Sequence, residues 1–471
     1  MDAVVISPAR RSPSAELLAL LQRRFEERLS TSQAVLLQHG TDESAYAPQP
    51  PDAVVFVQST DEVAFVVRAC ARERVPVIGF GVGSSVEGHL LAVQGGVCID
   101  FSRMNRVLAV RGGDLTATVE AGVTRGQLNA ALADTGFFFS VDPGADASIG
   151  GMVATAASGT NTVRYGTMRD NLVNLTVVTA EGEVVRTATQ ARKSSAGYNL
   201  TQLYCGSEGT LGLITEATVR LHPHPEAHAA AVVHFPSVRA AVDVVIEAIQ
   251  LGVPLARAEM LDALTIRAVN AHSRTTLAEH PTLFLEFGAS KAQIDEQAAL
   301  VREIVAGHGG GAFQWALRQE ERSRLWTPRH HAYFACLQLQ AGSRSLTTDA
   351  CVPLSALAQC IDETQADIAE HELLAPVFGH VGDGNFHCLV LVDPDDAAAN
   401  AAAEAFSHRL VQRALRHGGT STGEHGVGLH KMQYLVEEHG AQAVGLMRAI
   451  KRALDPHDIF NPGKVVGHAG L

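Results

Sequence analysis

The chain has 471 residues, 46% hydrophobic and 18% charged, which is too long for one ordinary core and too apolar for a disordered chain. Its 37 basic and 50 acidic residues leave a net charge of -13, which argues against nucleic acid as a partner and obliges an anionic substrate to find a local cationic site. Seven scattered cysteines (Cys70, Cys98, Cys205, Cys336, Cys351, Cys360, Cys388) read as free thiols of a reducing compartment, taken as the cytoplasm.

The start, Met1 to Ile6, is acidic with too short an apolar core for a secretory signal, and no apolar run reaches the length of a membrane span, which leaves peripheral membrane association open. Arg10, Arg11 and Ser12 make a mitochondrial transit peptide the alternative, opposed by Asp2, Glu16, Glu26 and Glu27. Residues 1–46 are expected to form an N-terminal helical segment. A strand at Val54 to Val57 and an amphipathic helix from Asp61 to Arg74 follow.

The strand Val75 to Ile78 runs into Gly79-Phe80-Gly81-Val82-Gly83-Ser84-Ser85, with Asp100 about twenty residues on, as in a dinucleotide fold. That reading fails because Gly88, Gly95 and Gly96 occupy the stretch where a regular helix must pack on the sheet. Gly112-Gly113-Asp114 then marks a hairpin, Thr124 and Gln127 a capping box, and Gly136 the expected C-terminal cap of that helix. From Asp142 to Asn161 the residues are small, and no charge appears from Ala147 to Val163. Such a stretch lets backbone N–H groups approach a pyrophosphate, although tight packing between elements explains it as well. Gly206-Ser207-Glu208-Gly209-Thr210-Leu211-Gly212 is a third loop of this type, and three in one domain suggest one long, phosphate-bearing ligand.

After the strand Leu213 to Leu221, Pro223 and Pro225 read as a linker, which divides a first domain, 47–224, from a second, 225–471. The second is α+β: a strand at Ala230 to Phe235, a helix at Val238 to Gln250, a strand at Leu283 to Phe287 and a helix at Ala292 to Val305. Helix propensity alone explains the alanine run Ala397 to Ala403.

Gly379-His380-Val381-Gly382-Asp383-Gly384-Asn385-Phe386-His387 has apolar arms around an Asp-Gly pair. With Asp383-Gly384 as a two-residue turn, His380 and His387 face each other with Cβ atoms about 4.5–5.5 Å apart, close enough to share a metal ion. Gly423-Glu424-His425-Gly426 adds a carboxylate and a third imidazole, and a His/His/Glu set leaves a coordination position open. In a chain with 21 histidines, ordinary structural roles are the competing explanation.

The Gly79 to Ser85 loop, the Pro143 to Gly166 segment ending in Arg164-Tyr165-Gly166, and Gly206 to Ile214 together resemble the FAD-binding domain of the vanillyl-alcohol oxidase type. The likeness continues over nearly the whole chain and is nearest to the FAD-linked D-lactate dehydrogenase and glycolate oxidase FAD-subunit family. It implies a two-domain α+β flavoprotein with a substrate-binding cap domain. By resemblance, Gly81, Gly83, Ser84, Ser85, Pro143, Gly144, Ser148, Gly151, Thr155, Gly159, Glu208, Gly209 and Ile214 hold FAD, with Asn461 in a C-terminal FAD-contacting segment. Some relatives attach FAD covalently through a histidine of the first loop; this loop carries serines, so FAD is expected to be non-covalent.

The family's G-H-x-G-D-G-N-x-H and G-E-H-G motifs are intact here, which implies that His380, His387 and Glu424 bind a divalent metal, zinc before manganese or iron, with His425 as the base. Arg329, in the position of the arginine of the family's L-W-x-x-R motif, is implied to bind the substrate carboxylate. Relatives that oxidise D-2-hydroxyglutarate carry a lysine and an asparagine where this chain has Thr347 and Leu389, which favours lactate-like or hydrophobic 2-hydroxy acids. The electron acceptor is expected to be a quinone, a cytochrome or an electron-transfer flavoprotein, and a homodimer is left open. The alternatives are a glycolate oxidase FAD subunit within a larger complex, a metal-dependent hydrolase without flavin and a non-catalytic electron-transfer subunit.

Overall fold

A computed structural model describes residues 9–467; the Met1 to Ile6 start read above lies outside them. The chain divides into two compact units. The described part of the first comprises residues 9–158, Gly166–Pro223 and 424–467, and the second comprises Gly159–Tyr165 and His224–Gly423. Among the described residues no helix is long and apolar enough to cross a membrane.

The first unit contains two main sheets. In the four-stranded one the order is Leu29–Ser30, Ala53–Phe56, Val97–Asp100, Val77–Phe80, with the last three strands parallel. The helix Thr60–Glu73 packs Val63, Val66, Val67 and Cys70 into this sheet's core; Ser59 caps its start and Arg74, in the left-handed region, ends it. After Val77–Phe80 the chain runs without a helix to Val97, in keeping with the rejection of the dinucleotide pattern, and Asp100 instead hydrogen-bonds the buried His39 at 2.9 Å. The five-stranded antiparallel sheet has the order Val107–Arg111, Thr116–Glu120, Leu213–Arg220, Leu172–Val178, Val184–Arg186.

The second unit is one eight-stranded antiparallel sheet. Its main path runs Gln314–Ala316, Ala227–His234, Thr282–Ala289, Leu255–Leu261, Val377–His380, Asn385–Val392, Arg344–Thr347, and Ala350–Cys351 pairs with Asn385–Val392. One face is covered by Val238–Gln250, Lys291–Gly307, Leu354–Glu370 and Ala397–Arg416, which absorbs the alanine run. The other face lies under Ala263–Ser273, Gln319–His330 and Ala332–Leu337.

The expected boundaries are corrected at both ends. Residues 9–46 carry the expected helices, Ala15–Phe25 and Gln33–His39, but they belong to the first unit: Ala15–Phe25 buries Leu17, Leu21 and Phe25 in the core of the four-stranded sheet. The segment from Glu424 onward belongs to the first unit, not to the second domain. Its Ile459 and Phe460 are fully buried in the same core, and Val77 N–H donates to the Ile459 carbonyl at 2.7 Å along the edge of the sheet. The capped helix Arg125–Ala131 is also shorter than expected: Asn129 turns the chain by exchanging hydrogen bonds with the Phe139 backbone, so Gly136 (φ 77°) falls in the turn that follows.

Candidate active site

In the second unit the histidine hairpin has a different register from the one expected. His380 stands opposite Asn385, and His387 opposite Phe378. A turn closed by Asp383 N–H to the His380 carbonyl (3.1 Å) precedes Gly384 at φ 86°, so the loop is four residues rather than two. The slip is by an even number, which keeps both side chains on one face, and the two rings lie 5.6 Å apart between centroids.

Each imidazole is oriented through Nδ1. His387 Nδ1 lies 3.0 Å from the Thr348 carbonyl, and His380 Nδ1 lies 2.7 Å from Glu259 Oε1. A carbonyl can only accept, and an ionised carboxylate likewise, so both rings carry the proton on Nδ1 and leave Nε2 as the nitrogen with a lone pair for a metal. Asp349, buried beside them, accepts from Asn385 Nδ2 at 2.7 Å and Thr422 Oγ1 at 2.9 Å.

Arg329 lies on the helix Gln319–His330. Pro328 lies inside this helix, where its missing N–H costs the bond to the Arg324 carbonyl; the helix ends two residues later, and Thr327 Oγ1 donates to the Ser323 carbonyl at 2.9 Å. The guanidinium donates from Nε (2.9 Å) and Nη2 (2.7 Å) to Glu259 Oε2 and lies over the Phe378 ring. Burial pushes the Glu259 carboxyl up, but His380 and Arg329 outweigh it and hold the group below its ordinary range. Thr347 and Leu389 are partners across one ladder, and Leu389 is fully buried in an apolar cluster with Trp326 and Phe378. Gly159, expected at FAD, belongs to this unit, where its N–H donates to Thr162 Oγ1 at 3.0 Å.

In the first unit the three glycine-rich loops meet around the helix Ile149–Thr155. A Cβ on Gly81 would collide with Ser148 Oγ, which accepts from Gly151 N–H at 3.3 Å, so glycine alone lets the first loop press on the second. Gly83 takes φ 82°, and Ser85 Oγ reaches Asp42 at 3.3 Å, while Ser84 beside it is half-buried. Thr155 Oγ1 bonds the Gly151 carbonyl. The third loop joins through Gly206 N–H to the Val153 carbonyl (2.9 Å) and Glu208 N–H to that of Ala154 (2.8 Å). Open space surrounds the Cβ positions of Gly144, next to Pro143, and of Gly209 (φ 68°), and Ile214 is buried in the core of this unit. Asn461 Nδ2 donates to the carbonyls of His89 (3.1 Å) and Glu208 (2.9 Å), and Lys464 Nζ donates to Asn461 Oδ1 at 2.6 Å.

This cradle fits a flat, phosphate-bearing group. Backbone dominates it, and among the described residues Ser207 Oγ and His89 Nδ1 are buried without a protein hydrogen-bond partner. The Glu208 carboxylate accepts from the N–H groups of Val427 (2.7 Å) and Gly428 (2.9 Å), which fixes the Gly423 to Gly426 turn. Glu424 and His425 thus belong to the first unit and His380 and His387 to the second, a correction to their assignment to one domain. Glu424 Oε2 accepts from Ser158 Oγ at 3.0 Å, and His425 Nδ1 lies 3.4 Å from Glu87 Oε1. Glu87 also meets His430 (3.0 Å) and Lys431 (3.1 Å). Burial pushes its carboxyl up, yet Lys431, His425 and His430 together hold it well below the usual range.

Glu259 and Glu87 escaped the sequence reading. A signal existed for Glu259, a charge on alternate positions of the apolar strand Leu255–Leu261. Glu87 gave none, since its partners lie more than three hundred residues away.

Residues 51–188 match the family of FAD binding domains, and residues 224–465 match that of FAD linked oxidases, C-terminal domain. The fold is shared with 4-ethylphenol oxidase from Gulosibacter chungangensis (TM-score 0.76, 20% identity, 98% of each chain) and with p-cresol methylhydroxylase (TM-score 0.79, 17% identity, 97% of this chain and 98% of the other). Fold and cradle define a flavoprotein oxidoreductase of the vanillyl-alcohol oxidase type.

The sequence is 49% identical to probable D-lactate dehydrogenase, mitochondrial, of Danio rerio, over 94% of this chain and 89% of that one. It is 44% identical to D-lactate dehydrogenase (cytochrome), mitochondrial, of Arabidopsis thaliana, over 99% and 82%, and 31% identical to glycolate oxidase subunit GlcD of Bacillus subtilis, over 95% of each. The chain belongs to the FAD-linked D-lactate dehydrogenase and glycolate oxidase FAD-subunit family, and it is an FAD-dependent enzyme.

Proposed function

We propose that the chain oxidises a short D-2-hydroxy acid of the D-lactate class to its 2-oxo acid and hands the electrons to an acceptor other than oxygen. The observation that carries this reading is the Glu259 carboxylate, which holds an arginine suited to an organic anion beside an imidazole suited to a metal. The activity in the names of the relatives from Danio rerio and Arabidopsis thaliana supports the substrate.

In this reading Arg329 binds the substrate carboxylate, and His380 and His387, through Nε2, hold a divalent metal together with Glu424. The donor set suits zinc. When bound, the metal supplies Lewis-acid polarisation of the substrate oxygens, and FAD supplies a two-electron acceptor. His425 takes the hydroxyl proton on Nε2, while Glu87 faces its Nδ1 and keeps that tautomer. FAD sits non-covalently on the glycine-rich loops: the first loop carries no histidine, His89, the next histidine in sequence, is buried against Glu208 at 3.1 Å, and His39, packed against Phe80, is bonded to Asp100 at 2.9 Å. The apolar Leu389 opposite Thr347 supports a substrate with one carboxylate, because a second would be buried without a cation.

The names of the relatives support a cytochrome as acceptor and the mitochondrion as compartment, the alternative to the cytoplasm considered above. The hydrolase reading is set aside by the FAD binding domain. Anaerobic titration tests the proposal: D-lactate should bleach the oxidised flavin spectrum, L-lactate should not, and D-2-hydroxyglutarate should act more slowly. A flavin left oxidised by every D-2-hydroxy acid would end the reading, and flavin retained by the protein after acid denaturation would end the non-covalent assignment.

A further inference from the structure

We propose that Glu259 is a positioning residue that sets the substrate-binding arginine and a metal-binding histidine from one buried carboxylate. The inference rests on the metal and substrate roles proposed above and deepens them.

Glu259 lies within the strand Leu255–Leu261 and is wholly inaccessible to solvent. The strand alternates, so that Ala258 and Met260 enter the core under Val238–Gln250, whereas Leu261 faces the opposite cluster with Trp326 and Phe378. The register Met260 opposite Gly379, carried on by one residue, sets Glu259 against His380 across the ladder. The helix Gln319–His330 delivers Arg329 to the same carboxylate. A charge buried in this way is tolerated only when fully partnered, and here each oxygen serves a different group: Oε1 accepts from His380 Nδ1 and Oε2 from Arg329 Nε and Nη2.

Two consequences follow from the bonding. His380 has its Nδ1 proton committed, so the ring turns Nε2 outward as a stronger ligand. Arg329 spends its Nε–Nη2 edge on Glu259, so the plane of the guanidinium is fixed and its terminal edge is the one presented to a substrate carboxylate. A carboxylate needed only for packing would have no reason to divide its oxygens between these two side chains. The amide of Glu259→Gln can accept from one partner but must turn an N–H toward the other, which is why the isosteric change is informative.

The experiment uses the FAD-loaded enzyme stripped of metal with a chelator and titrated with Zn²⁺. Glu259→Gln should bind Zn²⁺ about 10–100-fold more weakly, as expected when the hydrogen-bond partner of a ligand histidine is lost. KM for D-lactate should rise, and FAD content should stay at the wild-type level. Glu259→Asp keeps the charge and serves if the Gln variant does not fold; the shortened side chain should give a smaller loss of the same kind. His380→Ala is the reference, and adding Glu259→Gln to it should weaken Zn²⁺ binding little further if Glu259 acts through His380. Wild-type Zn²⁺ affinity and KM in the Glu259 variants, with Zn²⁺ binding lost in His380→Ala, would overturn the role of Glu259 alone. Wild-type Zn²⁺ binding by His380→Ala would overturn the metal reading itself and this inference with it.

Discussion

Arg329 illustrates what residue type and motif position can and cannot reveal. A guanidinium near a 2-hydroxy acid site is a natural expectation, but that it already holds a carboxylate is visible only once the strand Leu255–Leu261 is laid beside the helix. The division of its donors makes Arg329→Lys a demanding substitution, because one ammonium can serve Glu259 or the substrate but cannot reproduce the fixed plane for both. We expect kcat/KM for D-lactate to fall roughly 10–100-fold, the range for losing a charge-assisted hydrogen bond, with most of the change in KM. Steady-state kinetics and Zn²⁺ affinity measured together check this, since Zn²⁺ binding should be nearly unchanged. Kinetics equal to wild type would remove Arg329 from the substrate.

Elements were legible where local chemistry decides them. Thr124 and Gln127 form the capping box read from their spacing, and Gly112 to Asp114 turns its hairpin. They were less legible where a distant partner intervenes, as when Gly384 is held by Val352 N–H and the histidine hairpin takes a longer loop than Asp-Gly alone implies. A helix cap also supplies a pH prediction. Asp262 caps Ala263–Ser273 by accepting from Thr265 N–H at 2.7 Å, but burial raises its carboxyl from 3.8 to about 6, with the bonds to Thr265 and Val377 only partly opposing it. A group raised in the folded state stabilises fully below its unfolded value and loses that contribution as pH rises through the folded one. Asp262→Asn keeps a cap without the charge. Its stability should therefore match wild type near pH 3, exceed it increasingly to about pH 6 and hold a constant margin above, at most about 3 kcal/mol. Calorimetry across that range decides, and a margin already complete at pH 4 would count against the assignment.

At the scale of the whole molecule, composition and motif order gave the class of fold, but the run of the chain was misread as two consecutive blocks. Nothing in the local sequence around Ile459 and Phe460 says that they complete a sheet edge more than three hundred residues earlier. A chain ending at Gly423 should accordingly lose the first unit's cover at Val77 and the Asn461 and Lys464 ties, and with them FAD, as gel filtration followed by flavin fluorescence would register. The same arrangement bears on how the protein is made. A ribosome releases the first unit's sheets before the second unit, but their last strand-edge partner emerges only after the whole of the second unit has been translated. The first unit thus closes only after the second has been made, so the nascent chain carries an open sheet edge while the second unit is synthesised, and the cofactor can be locked in only once the segment from Glu424 has followed.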